Sequence, residues 1–218
     1  TYPDGMGGEL TVYHRGYVNA SAALAWAFAN YQAPDQVFVT GCSAGSVGSI
    51  LHAPYVIERY PDARVTQLGD SLSFTYHRPI NMNADYGAGA NFPDWIPGLQ
   101  ALDPTAFEMW QFYTAVAGYY PDRTFAQFNS ALDAVQERFY LAIGGEAAHF
   151  GADLAENIAQ IHANAPNFRS FTVPGSLHCV LPRPELYSLE TDGVRFIDWL
   201  SDLEAGMQVE NITCTECG

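Results

Sequence analysis

Lysine is absent from this chain of 218 residues: its nine basic residues are all arginine, against 24 acidic ones, for a formal charge of −15. Phosphate recognition needs clustered positive charge, so nucleic acid and anionic membranes are poor partners. No apolar run approaches the ~18 residues of a membrane span, and no secretory leader is visible. Internal repeats and low-complexity tracts are missing as well. Charged residues are scarce, at 15% against 48% hydrophobic, which excludes a disordered chain. A chain of this length suits one domain and buries roughly 70% of its unfolded surface. The acidic, lysine-free composition fits a secreted protein or one from saline water, and does not separate the two. Thr1 is not a natural start, so a segment removed by processing or cloning is expected before it.

The four cysteines are Cys42, Cys179, Cys214 and Cys217. The last two form Cys-Thr-Glu-Cys, but a four-thiolate zinc site needs a second such pair, and there is none. A redox pair usually opens a helix after a strand, whereas this one ends the chain. Disulfides that anchor the tail are the expectation, with free thiols and a metal half-site as alternatives. Such bridges point to a secreted or periplasmic location. Asn19-Ala-Ser and Asn211-Ile-Thr fit a glycosylation sequon, a common chance match.

Strands alternate with helices along the chain. Gln36–Thr40, Arg64–Leu68, Thr124–Asn129 and Phe168–Val173 read as buried strands. Helical spacing marks 19–31, capped by Asn19 or Ser21, and also Ser46 to Tyr60, 104–118, 133–143, 151–163 and Val194–Leu203. This alternation predicts an α/β fold with a mostly parallel sheet covered on both faces. Residues 72–120 are rich in Pro, Asn, Gly and aromatics and read as a cap-like insertion within a single catalytic domain spanning 1–218. Their aromatics are expected to pack the cap itself or to bind sugars or acyl chains.

Gly41-Cys42-Ser43-Ala44-Gly45 matches G-x-S-x-G and falls between a strand and a helix. A tight turn there exposes a serine oxygen, and its glycines avoid collisions with neighbouring backbone. The helix N-terminus and the Ala44 N–H then form part of an oxyanion hole. A capped Gly/Ser loop is the bland alternative. Of six histidines, His178 lies in the loop after the strand at 168–173, where open parallel sheets place their chemistry. His149 and His162 read as surface or packing residues and His52 as part of the helix after Ser43, while His14 and His77 are free to line a site. The acid that orients the base is Asp133, Asp70, or Glu146 or another carboxylate. Asp133 equally suits a helix N-cap, and spacing alone leaves these choices open.

Taken together, HRGYVNASAAL (14–24), VFVTGCSAGS (37–46), QLGDS (67–71), Asp133-Ala-Val-Gln136, PGSLHCVL (174–181) and the terminal DWLSDLEAG…CTEC resemble the pectin acetylesterase/Notum family of α/β-hydrolases. The resemblance implies a serine esterase with Ser43 as nucleophile, Asp133 as acid and His178 as base, with Asp70-Ser71 supporting the site. It implies no cofactor and no metal. Its substrate class is an ester of an acylated carbohydrate or another acyl ester. A hydrolase of lipid or polyester esters and an inactive binding module of the same fold are the rivals. The resemblance also implies a disulfide from Cys179 to Cys214 or Cys217. Two departures stand out. Ser46 replaces a glycine usual in the family's turn, and the family's N-terminal strands, with a second oxyanion donor, have no counterpart here. Those strands are expected from a longer precursor or a second polypeptide, because the strand at 36–40 would otherwise have a bare edge.

Overall fold

A computed structural model describes residues 2–3, 5–72, 89–103 and 108–217. Phe74, Tyr76, His77, Tyr86, Phe107 and the first residues of the helix expected from 104 lie outside these described residues. The main sheet is built from β3 (Gln36–Cys42), β4 (Arg64–Asp70), β5 (Thr124–Ser130), β6 (Phe168–Val173) and β9 (Ile212–Thr213). They lie side by side in the order β3-β4-β5-β6-β9, and every pair is parallel. Short antiparallel ribbons pair β1 (Tyr2–Pro3) with β2 (Glu9–Leu10) and β7 (Glu190–Thr191) with β8 (Val194–Arg195).

Seven helices accompany the described strands: α1 (Gly16–Asn30), α2 (Ala44–Arg59), α3 (Pro97–Gln100), α4 (Met109–Tyr119), α5 (Ala134–Ala142), α6 (Phe150–Asn164) and α7 (Phe196–Glu204). The strand period of two divides the core. Val65, Phe125 and Phe168 face a cluster supplied by α2, α4 and α6, whereas Leu68, Ala126, Phe128, Phe171 and Val173 face α7. On α7, Phe196, Trp199, Leu200 and Leu203 follow helical spacing and are all buried. Burying each such side chain contributes about 1.5–3 kcal/mol, so Phe196→Ala would open the second face.

Several expectations change on contact with the structure. Helix α1 starts at Gly16, so Asn19 and Ser21 lie inside it, and Arg15 at its N-cap makes no side-chain capping bond. The described aromatics of 72–120 mostly fill the core: Phe92, Phe112, Tyr113 and Tyr120 are buried, with Trp95 and Trp110 packed against them. Glu108 and Gln111 close a reciprocal cap that starts α4. A fifth strand, β9, joins the sheet from the tail.

Candidate active site

Strand β3 ends at Cys42 and α2 begins at Ala44, leaving Ser43 between them at φ 57° and ψ −120°. A non-glycine residue held there costs on the order of 1–3 kcal/mol and persists only where its surroundings fix it. Two bonds do so: the Ser43 N–H donates to the Asp70 carbonyl at 2.8 Å, and the Ser46 N–H donates to the Ser43 carbonyl at 2.8 Å. A Cβ on Gly41 would lie 2.2 Å from the Gly45 carbonyl oxygen, which explains the first glycine of the turn. Gly45 meets no such obstacle, so collision accounts for one flanking glycine and not the other. Ser46 is accommodated because Gly69 lies beneath it: a Cβ there would come within 2.2 Å of the Ser46 hydroxyl.

Asp133 and His178 arrive on loops that run together beyond the ends of β5 and β6. The N–H groups of Ala131, Leu132 and Ala134 donate to the carbonyls of Val173, Gly175 and Ser176. This zipper places the wholly buried Asp133 against His178, whose Nδ1 lies 2.8 Å from Oδ2 and 3.0 Å from Oδ1. Both readings of Asp133 hold at once. Its Oδ1 also accepts the N–H groups of Val135 and Gln136, each at 3.0 Å, as the N-cap of α5. The Gln136 amide donates to Oδ2 at 3.1 Å and to Asn129 Oδ1 at 3.1 Å. A carboxylate held by so many donors presents a fixed acceptor to the imidazole.

Asp70 takes a different position. Its buried carboxylate accepts the N–H of Val180 at 3.1 Å, that of Leu181 at 2.9 Å and the Ser71 hydroxyl at 3.1 Å. The Ser71 Oγ in turn accepts the Cys179 N–H at 2.9 Å. Burial pushes the Asp70 carboxyl above its ordinary range, against the hydrogen bonds from Leu181, Val180 and Ser71. Glu146 is remote from this constellation, with its exposed carboxylate 3.9 Å from His149.

The cysteine pairing differs from the expectation. Cys42 bonds to Cys179, and Cys214 bonds to Cys217. The topology gives the reason. Cys42 is level with Asp70 across β3 and β4, and Asp70 holds the Val180–Leu181 backbone, so Cys179 is set down beside Cys42. Cys214 donates its N–H to Thr172 at the far side of the sheet, on the β9 edge. The sequence did carry a signal for this pairing: one cysteine directly precedes Ser43 and another directly follows His178.

The bridge brings the serine turn and the histidine loop together, with a ring nitrogen of His178 within 4.8 Å of Cys42 Sγ. The imidazole's hydrogen bonds go to Asp133, and the Ser43 hydroxyl is not among its partners. Sulfurs joined in a disulfide offer no thiolate, so this cluster does not suit a metal ion.

Beside the turn is a cavity of about 790 Å³ bounded by α1, β3 and α2. Gly41 and Ala44 reach it from the turn, and Leu24, Val39, Val47 and Phe92 make its wall largely apolar. His14 and His52 also line it, the latter with Nδ1 2.9 Å from the Gly48 carbonyl. His162 packs away from the site, between Ser170 and Asn211. Asn129 and the Cys42 partnership were missed as site-supporting features in the sequence, because they act only through contacts between distant segments, whereas Ser71 does stand beside Asp70 in the supporting place expected of the pair.

The parallel sheet with helices on both faces defines an α/β protein. No family model and no curated relative matches the sequence. Among solved structures, one crystal form of the Wnt deacylase Notum from Drosophila superposes with a TM-score of 0.64 at 14% identity, over 92% of this chain and 62% of that one. A second crystal form gives a TM-score of 0.62 at 15% identity, over 90% and 60%. The chain therefore spans about three fifths of the length of those structures, and the likeness is one of fold.

Proposed function

We propose that this chain is a serine carboxylic-ester hydrolase in which Ser43 is the nucleophile, His178 the base and Asp133 the acid. The observation that carries this reading is the buried Asp133 bonded to His178 Nδ1 at 2.8 Å, beside a serine held at positive φ between a strand and a helix. Resting hydrogen bonds of a catalytic serine are often loose and tighten when substrate binds. His178 Nε2 takes the Ser43 proton as Oγ attacks the ester carbonyl. The carbonyl electrons move onto oxygen, which the Ala44 N–H stabilises. Collapse expels the alcohol with the proton carried by His178. Water, activated by the same imidazole, then releases the acid and restores Ser43. Asp133 fixes the tautomer and offsets the charge on the imidazolium.

The substrate is an acyl ester, with deacylation of the pectin acetylesterase or Notum kind as the first reading. The apolar cavity beside Ala44 also favours a second, the hydrolysis of lipid or polyester esters. The net charge of −15 disfavours a polyanionic alcohol portion. Two disulfides among the described residues support an exported protein. Among the described residues the outer edge of β3 is open, which supports pairing with a further strand in the active protein, from the same precursor or a second polypeptide, with a second oxyanion donor beside it. Fluorophosphonate labelling tests the nucleophile: covalent mass on the Ser43 peptide is expected, and an unlabelled native protein would sink the reading in favour of a binding module. Esters of short and long acyl chains, run against matching amides, decide the substrate class.

A further inference from the structure

The proposed catalytic residues come from segments 137 residues apart at their flanking cysteines, and each is held differently. Asp133 grips His178 only through the ring, so it sets the imidazole's orientation but not the distance to Ser43. That distance is governed by ties between the two backbones. Cys42, the residue before Ser43, is bonded to Cys179, the residue after His178, with their Cα atoms 5.6 Å apart. Other ties hold each segment to the sheet: the zipper from Ala131, Leu132 and Ala134 fixes the histidine loop beside β5, and at β4 the Asp70 carbonyl takes the Ser43 N–H while the Asp70 and Ser71 side chains take the N–H groups of residues 179–181. Ser43, Ser71 and Cys179 all have positive φ, between 57° and 61°. Three non-glycine residues in that region, meeting at one place, need surroundings that hold them there.

We propose that the Cys42–Cys179 disulfide is the positioning element of the site, setting the register of Ser43 against His178, and that the full rate of hydrolysis requires it to be oxidised. This rests on the hydrolase reading above. Cys42 is exposed and Cys179 buried, so an added dithiol reaches Cys42 first. Its thiolate attacks Cys42 Sγ, the S–S bond breaks, and Cys179 leaves as a thiolate that takes up a proton. The second thiol of the reductant closes its own disulfide ring and frees Cys42, so two electrons pass from dithiol to protein. The bonds to Asp70 and Ser71 remain and keep the loop in place, but with freedom to drift. A displacement of about 1 Å at reacting atoms costs on the order of 10²-fold in rate. The cavity wall is formed by other residues, so substrate binding is left intact.

The test compares hydrolysis of p-nitrophenyl acetate and fluorophosphonate labelling rates before and after dithiothreitol. It uses the wild-type protein, the Cys42→Ala/Cys179→Ala variant and the Cys214→Ala/Cys217→Ala variant, each followed by near-ultraviolet circular dichroism. On reduction, kcat and labelling rate should fall about 10- to 100-fold in the wild-type protein and the tail variant, with KM within about twofold and the dichroism retained. Re-oxidation with oxidised glutathione should restore both. The Cys42→Ala/Cys179→Ala variant should start at the low rate and ignore the reductant. Unchanged kcat in the reduced, folded wild-type protein would overturn the proposal. So would activity lost only in step with the dichroism, since the bridge would then serve stability alone. Oxidised wild-type protein that never labels at Ser43 would instead overturn the hydrolase reading.

Discussion

The two sides of the main sheet are built to different standards. On the β4–β5 side nearly every strand residue is buried, including the polar Gln67, Gln127 and Asn129. On the β3 side no residue of β3 is fully buried, and α1, which lines the cavity beside it, buries none. Trp26 is 63% exposed and Tyr31 59%. The candidate site straddles this boundary. Asp133 and His178 stand on the well-packed side, whereas Ser43 is delivered by the thinly covered strand. Packing alone therefore cannot place the serine relative to its partners, and the local ties at Asp70 and Cys179 do that work.

The largest effect expected from this arrangement is on Ser43→Ala, which should lower ester hydrolysis by roughly 10⁴–10⁶-fold with an unchanged melting temperature. Steady-state rates on a short acyl ester, corrected for trace wild-type protein, provide the check. Comparable turnover by the variant would move the chemistry off the turn. Next comes Asp133→Asn. Asparagine still caps α5 through its oxygen, but its amide nitrogen faces the Gln136 amide that Oδ2 accepts, so stability should fall by about 1–3 kcal/mol with the fold retained. The imidazole loses its anionic partner, however, and kcat should drop on the order of 10⁴-fold. A variant that unfolds but keeps its kcat would reverse the ranking of Asp133's two roles.

The two sides can also be compared by stability. Phe128 is fully buried on β5, and Phe128→Ala should cost about 3–5 kcal/mol in urea unfolding. Trp26→Ala on the exposed side should stay within about 0.5 kcal/mol. A large loss at Trp26 would show that α1 is covered in solution, in keeping with a further strand on the β3 edge.

A subtler contrast concerns Asp70, whose carboxyl is raised by burial. A raised value in the folded state means that the group's favourable contribution is complete below its unfolded value, about 3.9, and is lost as pH rises through the folded one. The urea midpoint of Asp70→Asn, which lacks this titration, should therefore gain on that of the wild-type protein as pH rises from 4. Activity should fall in the same variant, because an amide cannot accept from both Val180 and Leu181 as the carboxylate does. A difference in midpoint that is flat with pH would show that the hydrogen bonds cancel the burial.

Much of this fold was legible from residue type. The strand cores Gln36–Thr40 and Arg64–Leu68 were readable from their apolar and β-branched residues, but each continues two residues further, through Gly41-Cys42 and Gly69-Asp70. Those extensions have poor strand propensity and exist because neighbouring strands pair with them. Helix α1 was misplaced at its start, since it has neither a side-chain cap nor a buried stripe to mark it. The two-residue β9 is too short to leave a pattern. The turn at Ser43 and the loop at His178 were visible as motifs, but Asp133 was not separable from Asp70 by spacing, because a helix cap and an imidazole partner ask for the same residue. The cysteine pairing was misread because sequence proximity in the tail says nothing of how β4 carries the histidine loop across the sheet.

The smallest expected effect lies at the far edge, where the tail strand β9 meets β6. His162 Nε2 is 2.9 Å from the Ser170 hydroxyl, and Nδ1 is 3.3 Å from the Asn211 amide nitrogen. Nδ1 can only accept from that amide, so the proton sits on Nε2 and is donated to Ser170. Burial lowers the tendency of this imidazole to take a second proton, and Arg169 adds to the effect. With the folded value below the unfolded one, about 6.5, the stabilisation is complete above pH 6.5 and is lost as pH falls through the folded value. Protonation would also turn Nδ1 into a donor facing a donor at Asn211, whose Oδ1 accepts the Ser170 N–H at 3.1 Å. Acidification from pH 7 to 5 should therefore lower the protection of the amides in residues 211–214, measured against their intrinsic exchange rates at each pH, before it affects β4 or β5, and His162→Gln should remove most of that pH dependence. Hydrogen exchange read by mass spectrometry decides it: uniform loss of protection across the sheet would show that acid acts on the molecule as a whole and not on this edge.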